Sequence, residues 1–380
     1  MQAQFSRLVK DKLNFEEAVT YHYGKFPPSE LNYAQLARQI GAASSAVARY
    51  DGVLRSLKNS EILLAPLRRK EAVISSRIEG TVTTLDEVFQ YEAESQRDQA
   101  VNYRHEVAEA YSYARAMNHA QQLVVEGLPI CGRLIRSAHS KLLLNVRGAD
   151  KQPGEYKREQ NYIVDQGRKK VLFVPISADK LGDGISQLER FIHDDKVEPL
   201  IQTALTHLEF EALHPFKDGN GRVGRMLITL MLWNKGIISA PHFYVSAYLE
   251  RHKDRYIDLM RNVSQKGEWT EWCEFFLGAI AAQAQENLET AEKIRDLYDE
   301  MRGQFIAALN SKWSTLALDF VFERPVFRTS QFTSAGLPKP SAQRFLRALQ
   351  EKELLRMVYP GSGRRPAVMA FEPLLELVRE

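Results

Sequence analysis

Cysteine is nearly absent: Cys131 and Cys273 are the two in 380 residues. Two thiols cannot build a disulfide framework, and their separation matches no metal-ligand spacing. Long apolar runs are missing as well. No window reaches the roughly 18 unbroken apolar residues of a membrane helix. Met1 to Asn14 alternates charged with apolar residues and lacks the apolar stretch of a signal peptide. These absences predict no membrane contact and a reducing, cytoplasmic setting. Nor does the sequence contain a Walker A loop, a His-Glu-x-x-His zinc motif, an internal repeat or a low-complexity tract.

What is present suits a globular protein. Apolar residues make up 44% and charged residues 26%, enough at this length for a sizeable core and two or three domains. The net charge of +3 is unevenly placed, since residues 311–380 hold 11 Lys/Arg against 7 Asp/Glu. That excess hints at an anionic partner for the C-terminal piece.

Helical periodicity dominates. Leu31, Leu36, Ile40, Val47, Leu54 and Leu57 predict packed helices over 30–65. Tyr91 to Gln99 reads as a polar, turn-rich stretch. Helical pattern returns from Tyr103 to Val125, breaks at Gly127-Leu128-Pro129, and resumes through Ile135, His139 and Leu142. Gly148, Pro153 and Gly154 then open a loop. Tyr162-Ile163-Val164 and Val171-Leu172-Phe173-Val174, flanking Asp165-Gln166-Gly167-Arg168, predict a β-hairpin. Helices follow from Leu181 to about Gln304, with 286–310 as a charged connecting helix. The expected fold class is mainly α, with a hairpin flap and a small α+β C-terminal domain. The expected units are an N-terminal helical region (1–110), a core (111–285), the connector (286–310) and the terminal domain (311–380).

The densest chemistry lies in His214-Pro215-Phe216-Lys217-Asp218-Gly219-Asn220-Gly221-Arg222-Val223-Gly224-Arg225. Leu200, Ala204, Leu208 and Ala212 recur every four residues before it, so a helix runs into the motif, and Pro215 disfavours α conformation at His214. Met226, Leu227, Leu230 and Met231 predict a buried helix after it. Gly219 and Gly221 permit close backbone approach in the turn between, and the amides of a new helix start there favour phosphate. Arg222 and Arg225 share a helix face and can reach phosphate oxygens. Asp218 is the one carboxylate of the loop, and a single carboxylate plus substrate phosphates is a usual way to hold Mg²⁺. His214 has an ordinary pKa near 6.5 and can take a hydroxyl proton at neutral pH. A Gly-x-Gly turn alone, or a helix-ending His alone, has ordinary structural uses. All these types within one short loop between apolar helices do not.

This loop resembles the core motif of the Fic family, His-x-Phe-x-Asp/Glu-Gly-Asn-Gly-Arg-x-x-Arg, at every defined position of 214–225. The resemblance implies a Fic-type helical core over roughly 30–285 and transfer of AMP from ATP to a protein hydroxyl on Tyr, Thr or Ser, with release of pyrophosphate. It implies His214 as general base and Asp218 as Mg²⁺ ligand. Gly219, Asn220 and Gly221 become an anion hole, Arg222 and Arg225 meet the outer phosphates, and Val223 and Gly224 complete the ATP-binding run. His207 and Glu211 match the family's preceding helix, and either also reads as ordinary packing. The hairpin at 160–175 corresponds to a flap, with Asn161, Tyr162, Ile163 and Val164 on the nucleotide side, on which a target protein docks by strand addition. Its closing Val174-Pro175-Ile176 lacks the frequent double proline. Tyr256 falls where the family often has paired tyrosines near adenine, and ordinary packing explains it equally well.

Glu71 to Gly80 reads as a helix end with Gly80 as its stop. Glu79 then faces the negative end of the helix dipole, which disfavours its charge unless an arginine elsewhere supports it. Ser75-x-x-x-Glu79-Gly80 matches the inhibitory helix of the family members that carry one N-terminal to the core. By that resemblance Glu79 pairs with Arg225 in the space the γ-phosphate needs, self-modification and homodimer formation are expected possibilities, and removal of AMP is a reverse reaction.

The last 70 residues resemble a winged helix. Helices around Leu316–Phe322 and Ser341–Leu349, the latter capped by Ser341, precede strands Leu355–Tyr359 and Ala367–Phe371. Lys339, Gln343, Arg344 and Arg347 on the third helix, with Arg364 and Arg365 at the wing tip, can meet DNA. Protein contact is the competing use. The alternatives to an AMP transferase are a DNA-binding regulator with a self-modifying Fic switch, a phosphotransferase, and a non-catalytic scaffold, which needs neither His214 nor Asp218.

Overall fold

The computed structural model describes residues 13–57, 59–95, 104–144, 150–165, 167, 169–363 and 365–379. Near the N-terminus a two-residue strand, β1 (Val19–Thr20), leads to α1 (Tyr33–Ser56). The Asn32 side chain accepts the Gln35 N–H at 3.1 Å and starts that helix. After the single turn α2 (Ser60–Leu63), α3 (Ala65–Ile78) opens with Pro66 in its first turn, where a missing N–H costs nothing. Gly80, at φ +92°, ends it. Its N–H reaches Arg77 O at 2.9 Å and the Thr81 N–H reaches Ser76 O at 3.1 Å, the paired bonds of a Schellman stop.

The stretch from Tyr91 departs from expectation. It is helical, inside α4 (Leu85–Ser95), and 96–99 lie outside the described residues. Asp86 and Glu87 favour its first turn, while Val88, Phe89 and Ala93 are buried and outweigh the polar residues around Tyr91. α5 (His105–Val125) and α6 (Gly132–Leu142) flank the expected break, where Gly127 adopts φ +91°. Gly148 of the expected loop lies outside the described residues, and Gly154 has φ +79°.

The hairpin consists of β2 (Ile163–Asp165) and β3 (Lys170–Val174), antiparallel, with Ile163 opposite Phe173 and Val164 opposite Val171. Turn residues Gln166 and Arg168 are not described. β3 is the middle strand, because β1 adds to its other edge in parallel, Val19 opposite Phe173. At two residues, this added strand is too short to show alternation.

α7 (Leu181–Ile192), α8 (Pro199–Leu213) and α9 (Asn220–Asn234) follow, then α10 (Ser246–Arg251) and α11 (Lys253–Lys266). α8 and α9 are apolar on nearly all sides and form the centre of the molecule. α12 (Trp269–Leu309) is one helix of 41 residues. It packs along α1 and runs through the position where a separate connector was expected, ending at Asn310 with φ 41°.

The C-terminal unit comprises α13 (Ser314–Glu323), β4 (Val326–Arg328), α14 (Thr329–Thr333), α15 (Lys339–Glu351), β5 (Arg356–Tyr359), β6 (Val368–Ala370) and α16 (Glu372–Arg379). Its sheet order is β4-β6-β5, antiparallel throughout. Ser341 does not cap α15. The helix starts two residues earlier, because Pro338 and Pro340 set up its entry, and no side-chain cap is made. Lys339, Gln343, Arg344 and Arg347 are exposed on α15, Arg365 is exposed beyond β5, and Arg364 lies outside the described residues.

The architecture is mainly α with two small sheets. Among the described residues, no helix is long and apolar enough to cross a membrane, and both cysteines are free thiols. Trp272 ties α12 to the centre: it is fully buried, its Nε1–H donates to Ala204 O at 2.9 Å, and it packs on His207, Tyr256 and Phe276. Trp272→Ala should therefore lower the unfolding free energy by about 3–5 kcal/mol, read from urea denaturation. A loss below about 1 kcal/mol would contradict this packing.

Candidate active site

The loop between α8 and α9 is held from below by Asn161, expected on the nucleotide side of the flap, and by Lys157 and His139, to which no site role was assigned. α8 stops at His214, which adopts φ 45°, ψ 60°. A left-handed non-glycine residue needs external support. Asn161 provides it, donating through Nδ2 to His214 O at 3.0 Å and Phe216 O at 3.1 Å. Lys157 Nζ donates in turn to Asn161 Oδ1 at 2.8 Å and Leu213 O at 3.0 Å. With only neutral acceptors in reach, burial pushes the Lys157 ammonium down to about 7.

His139 braces the other side. Its ring stacks on Phe216 at 3.7 Å, its Nδ1 accepts the Gly154 N–H at 2.8 Å, and Nε2 therefore donates to Asp218 O at 2.9 Å. Burial holds it neutral, down to about 4. Asn220 closes the loop on itself, accepting the Phe216 N–H and donating to Phe216 O, both at 2.8 Å. The Asn220 amide is thus committed to the loop backbone. What α9 offers a ligand is its N-terminal N–H groups, for the helix start carries no side-chain cap.

The three glycines of the motif serve two ends. Gly219 takes φ +77°. Gly221 has no positive φ and is helical, contrary to the expectation of a turn. A Cβ there would lie 2.2 Å from Glu79 Oε1 and 3.0 Å from Arg225 Nη1. A Cβ on Gly224 would lie 2.2 Å from Glu211 Oε1. Two of the three therefore make room for carboxylates from other helices.

His214 Nδ1 faces Glu211 O at 3.3 Å, so that nitrogen donates and Nε2 is left as the acceptor. Burial, with a push from the Lys157 ammonium, drives the imidazole down to about 3, well below the ordinary value expected from sequence. It is neutral at pH 7 and able to receive a proton. Asp218 is partly exposed. Its Oδ1 accepts the Gly219 N–H at 2.6 Å and lies 3.5 Å from Arg222 Nη2. Arg222 also lies 3.8 Å from Glu109 Oε2.

Arg225 is the most enclosed charge of the site, with 1% of its side chain exposed. Nε donates to Ser75 Oγ and Nη2 to Ser75 O, both at 2.8 Å, and Nη2 reaches Glu79 Oε1 at 2.9 Å. Burial would push the Glu79 carboxyl up, but the Arg225 guanidinium beside it holds it down to about 2. The sequence reading asked for an arginine to offset the helix dipole at Glu79, and Arg225 is that residue. Lys253 completes the arrangement, its Nζ donating to Ile78 O at 2.6 Å at the same helix end.

Two further acids stand near Arg225: Glu211, expected on the helix before the motif, and Glu71, to which no site role was assigned. Burial pushes Glu211 up to about 8 despite Arg225 nearby, and Glu71 up to about 7 despite hydrogen bonds from Ser246. His207 and Tyr256 form a packed pair: Tyr256 OH donates to His207 Nε2 at 2.8 Å while His207 Nδ1 donates to Gly224 O at 3.0 Å. An apolar cleft adjoins this cluster. Its walls include Ile163, Leu172, Phe173, Leu208, Tyr256, Ile257 and Met260, with Glu79, His214, Gly221 and Arg225 at one end. Of the four hairpin residues expected to face it, Ile163 does. Tyr162 and Val164 pack on the opposite face of the hairpin, against Phe15 and Ala18, because side chains alternate along a strand. Asn161 holds the loop.

The description of the Fic/DOC family N-terminal region matches residues 37–122 and that of the Fic/DOC family matches 129–232. A probable protein adenylyltransferase of Aquifex aeolicus is 25% identical over 207 residues, covering 54% of this chain and 58% of that protein. The protein adenylyltransferase Fic of Drosophila ananassae is 28% identical over 124 residues, covering 32% of this chain and 23% of that protein. The chain thus spans less than two thirds of the length of either relative. In fold, it is similar to a Fic family protein from Desulfovibrio desulfuricans G20, with TM-score 0.60 and 21% identity over 91% of this chain and 98% of that one. Two adjoining family regions that together take in half of the sequence, and that end in the helix carrying Arg225, mean that the chain belongs to the Fic/DOC family.

Proposed function

We propose that this chain transfers AMP from ATP to a hydroxyl of a protein, its own or another, and that Glu79 restrains the reaction. The observation that carries this reading is the meeting of a neutral His214, the uncapped start of α9 and Arg225 at an apolar cleft, with Arg222 on the same helix. In the reaction the target hydroxyl oxygen bonds to the α-phosphorus, the bond from that phosphorus to the bridging oxygen of pyrophosphate breaks, and the hydroxyl proton passes to His214 Nε2. Pyrophosphate leaves with the bonding electron pair. With the Gly219 N–H held by Asp218, the backbone N–H groups of Asn220 and Gly221 would bind phosphate oxygens, and the cleft walls would take the adenine, with Tyr256 at one side.

Asp218 would hold Mg²⁺. The donor set suits it: one partly exposed carboxylate in the loop, beside the helix start that would meet the phosphates. When bound, the ion would neutralise charge on the phosphates.

Glu79 enters as an obstacle. Its carboxylate lies against Gly221 and occupies a hydrogen-bonding position on Arg225. A γ-phosphate that needs Arg225 must displace it, so ATP would sit with its α-phosphate poorly aligned for in-line attack. The same glutamate could support hydrolytic removal of AMP by orienting water. A homodimer and a target docked on the hairpin belong to the same reading.

Intact-mass spectrometry after incubation with Mg²⁺ and ATP tests the chemistry. Glu79→Gly should gain one adenylyl group, more than wild type by about tenfold or greater in rate, and His214→Ala should gain none. A phosphate-sized gain instead would sink the assignment.

A second reading has its own observation. Lys339, Arg344 and Arg347 project from α15 without ion pairs among the described residues, and Arg365 is exposed beyond β5. In this reading the C-terminal unit is a winged helix that binds DNA. Lys339→Glu with Arg347→Glu should then abolish a gel shift of genomic fragments and flatten its salt dependence. An unchanged shift would remove DNA from the account.

A further inference from the structure

The hairpin presents two edges, and one is already taken. β1 and the residues before it run parallel to β3. The Asn14 N–H donates to Lys169 O at 3.0 Å, the Val171 N–H to Asn14 O at 2.8 Å, and the Tyr21 N–H to Val174 O at 2.9 Å. Glu17 pairs with Lys170, and Arg261 Nη2 donates to Glu17 O at 3.4 Å. Arg261 is also a wall of the apolar cleft. Phe15 meets Tyr162 edge to face at 5.3 Å and, with Ala18, covers the hairpin face that points away from the cleft. This is the geometry of an added strand: main-chain bonds give the attachment, and alternate side chains with one ion pair give the register.

The attachment changes character at Tyr21. Tyr21 OH donates to Glu209 Oε1 at 2.6 Å, and His22 lies 2.8 Å from Glu209 Oε2 and 2.7 Å from Ser264 Oγ, all in the interior. Glu17, by contrast, is exposed, and its pair with Lys170 is a surface one. Residues 14–20 can therefore peel from β3 while Tyr21 and His22 stay anchored in the core.

We propose that residues 14–20 are an exchangeable occupant of the β3 edge, holding the place of an extended segment of a partner protein that carries an acidic residue opposite Lys170 and Arg261. Own segment and partner compete for one edge, so the segment is a restraint on docking separate from the Glu79 contact. The inference rests, for its meaning, on the target-docking reading above and names the partner's chemistry: a strand that runs parallel to β3, apolar toward Tyr162, acidic toward Lys170.

The test uses the full chain and a fluorescent peptide spanning Leu13 to Tyr21. In wild type the tethered segment excludes the peptide through its high local concentration. Glu17→Lys sets the segment against Lys170 and Arg261, and Val19→Asp puts a charge on its buried residue opposite Phe173. Either variant should bind the peptide about tenfold more tightly than wild type, and a peptide with Glu17→Lys should lose that gain. Equal affinity in all three chains, or a gain shared by the reversed-charge peptide, would overturn the proposal. So would loss of amide-exchange protection in α8 in both variants, which would make 14–20 part of the fixed core. No AMP transfer enters the readout, so an inactive chain that binds peptide as expected would sink only the transfer reading.

Discussion

A guanidinium cannot be buried unpaired, and the arrangement around Arg225 follows from that constraint. With 1% of its side chain exposed, Arg225 draws in Ser75 from α3 through two hydrogen bonds and Glu79 through a third. Tyr256, Glu211 and Tyr113 stand around it and favour its charge against the burial that opposes it. In consequence three stretches far apart in sequence, the end of α3, the start of α9 and α11, share one centre. Whatever takes the place of Glu79 must also bring negative charge. A phosphate does; water does not. The proposed restraint and the proposed substrate thus answer the same need of one cation.

The rest of the site is a set of braces for an awkward backbone. His214 is left-handed, and Asn161, Lys157 and His139 hold the residues on either side of it by bonds to main-chain atoms. These three act through position, not by touching a ligand. Burial keeps His214 and His139 neutral, so the positive charge of 214–225 lies on Lys217, Arg222 and Arg225.

The 214–225 motif was legible because its residue types are rare together, and the helices on both sides were legible from apolar periodicity. Glu79 was legible for a physical reason as well: a carboxylate at a helix C-terminus asks for a cation, and Arg225 stands there. Other features were not, for reasons of range. Gly221 looked like a turn residue because a sequence shows conformational freedom, whereas its actual cause is the carboxylate of Glu79, far away in the chain. Burial of Glu71, Glu211 and Lys157 depends on packing between helices and leaves no local sign. β1 spans two residues and β4 three, too short for any alternation to register. α4 was mistaken for a turn at Tyr91 because its outer face is polar, while Phe89 and Ala93, which fix it, are few.

The central claim is that Glu79 stands where a γ-phosphate would go. Calorimetric titration of wild type and Glu79→Gln with ATP and with ADP, each with Mg²⁺, tests it most directly. The account predicts that Glu79→Gln tightens ATP by about tenfold or more while ADP changes within about twofold, since ADP has no third phosphate to compete for Arg225. Equal changes for both nucleotides, or none for either, would contradict it.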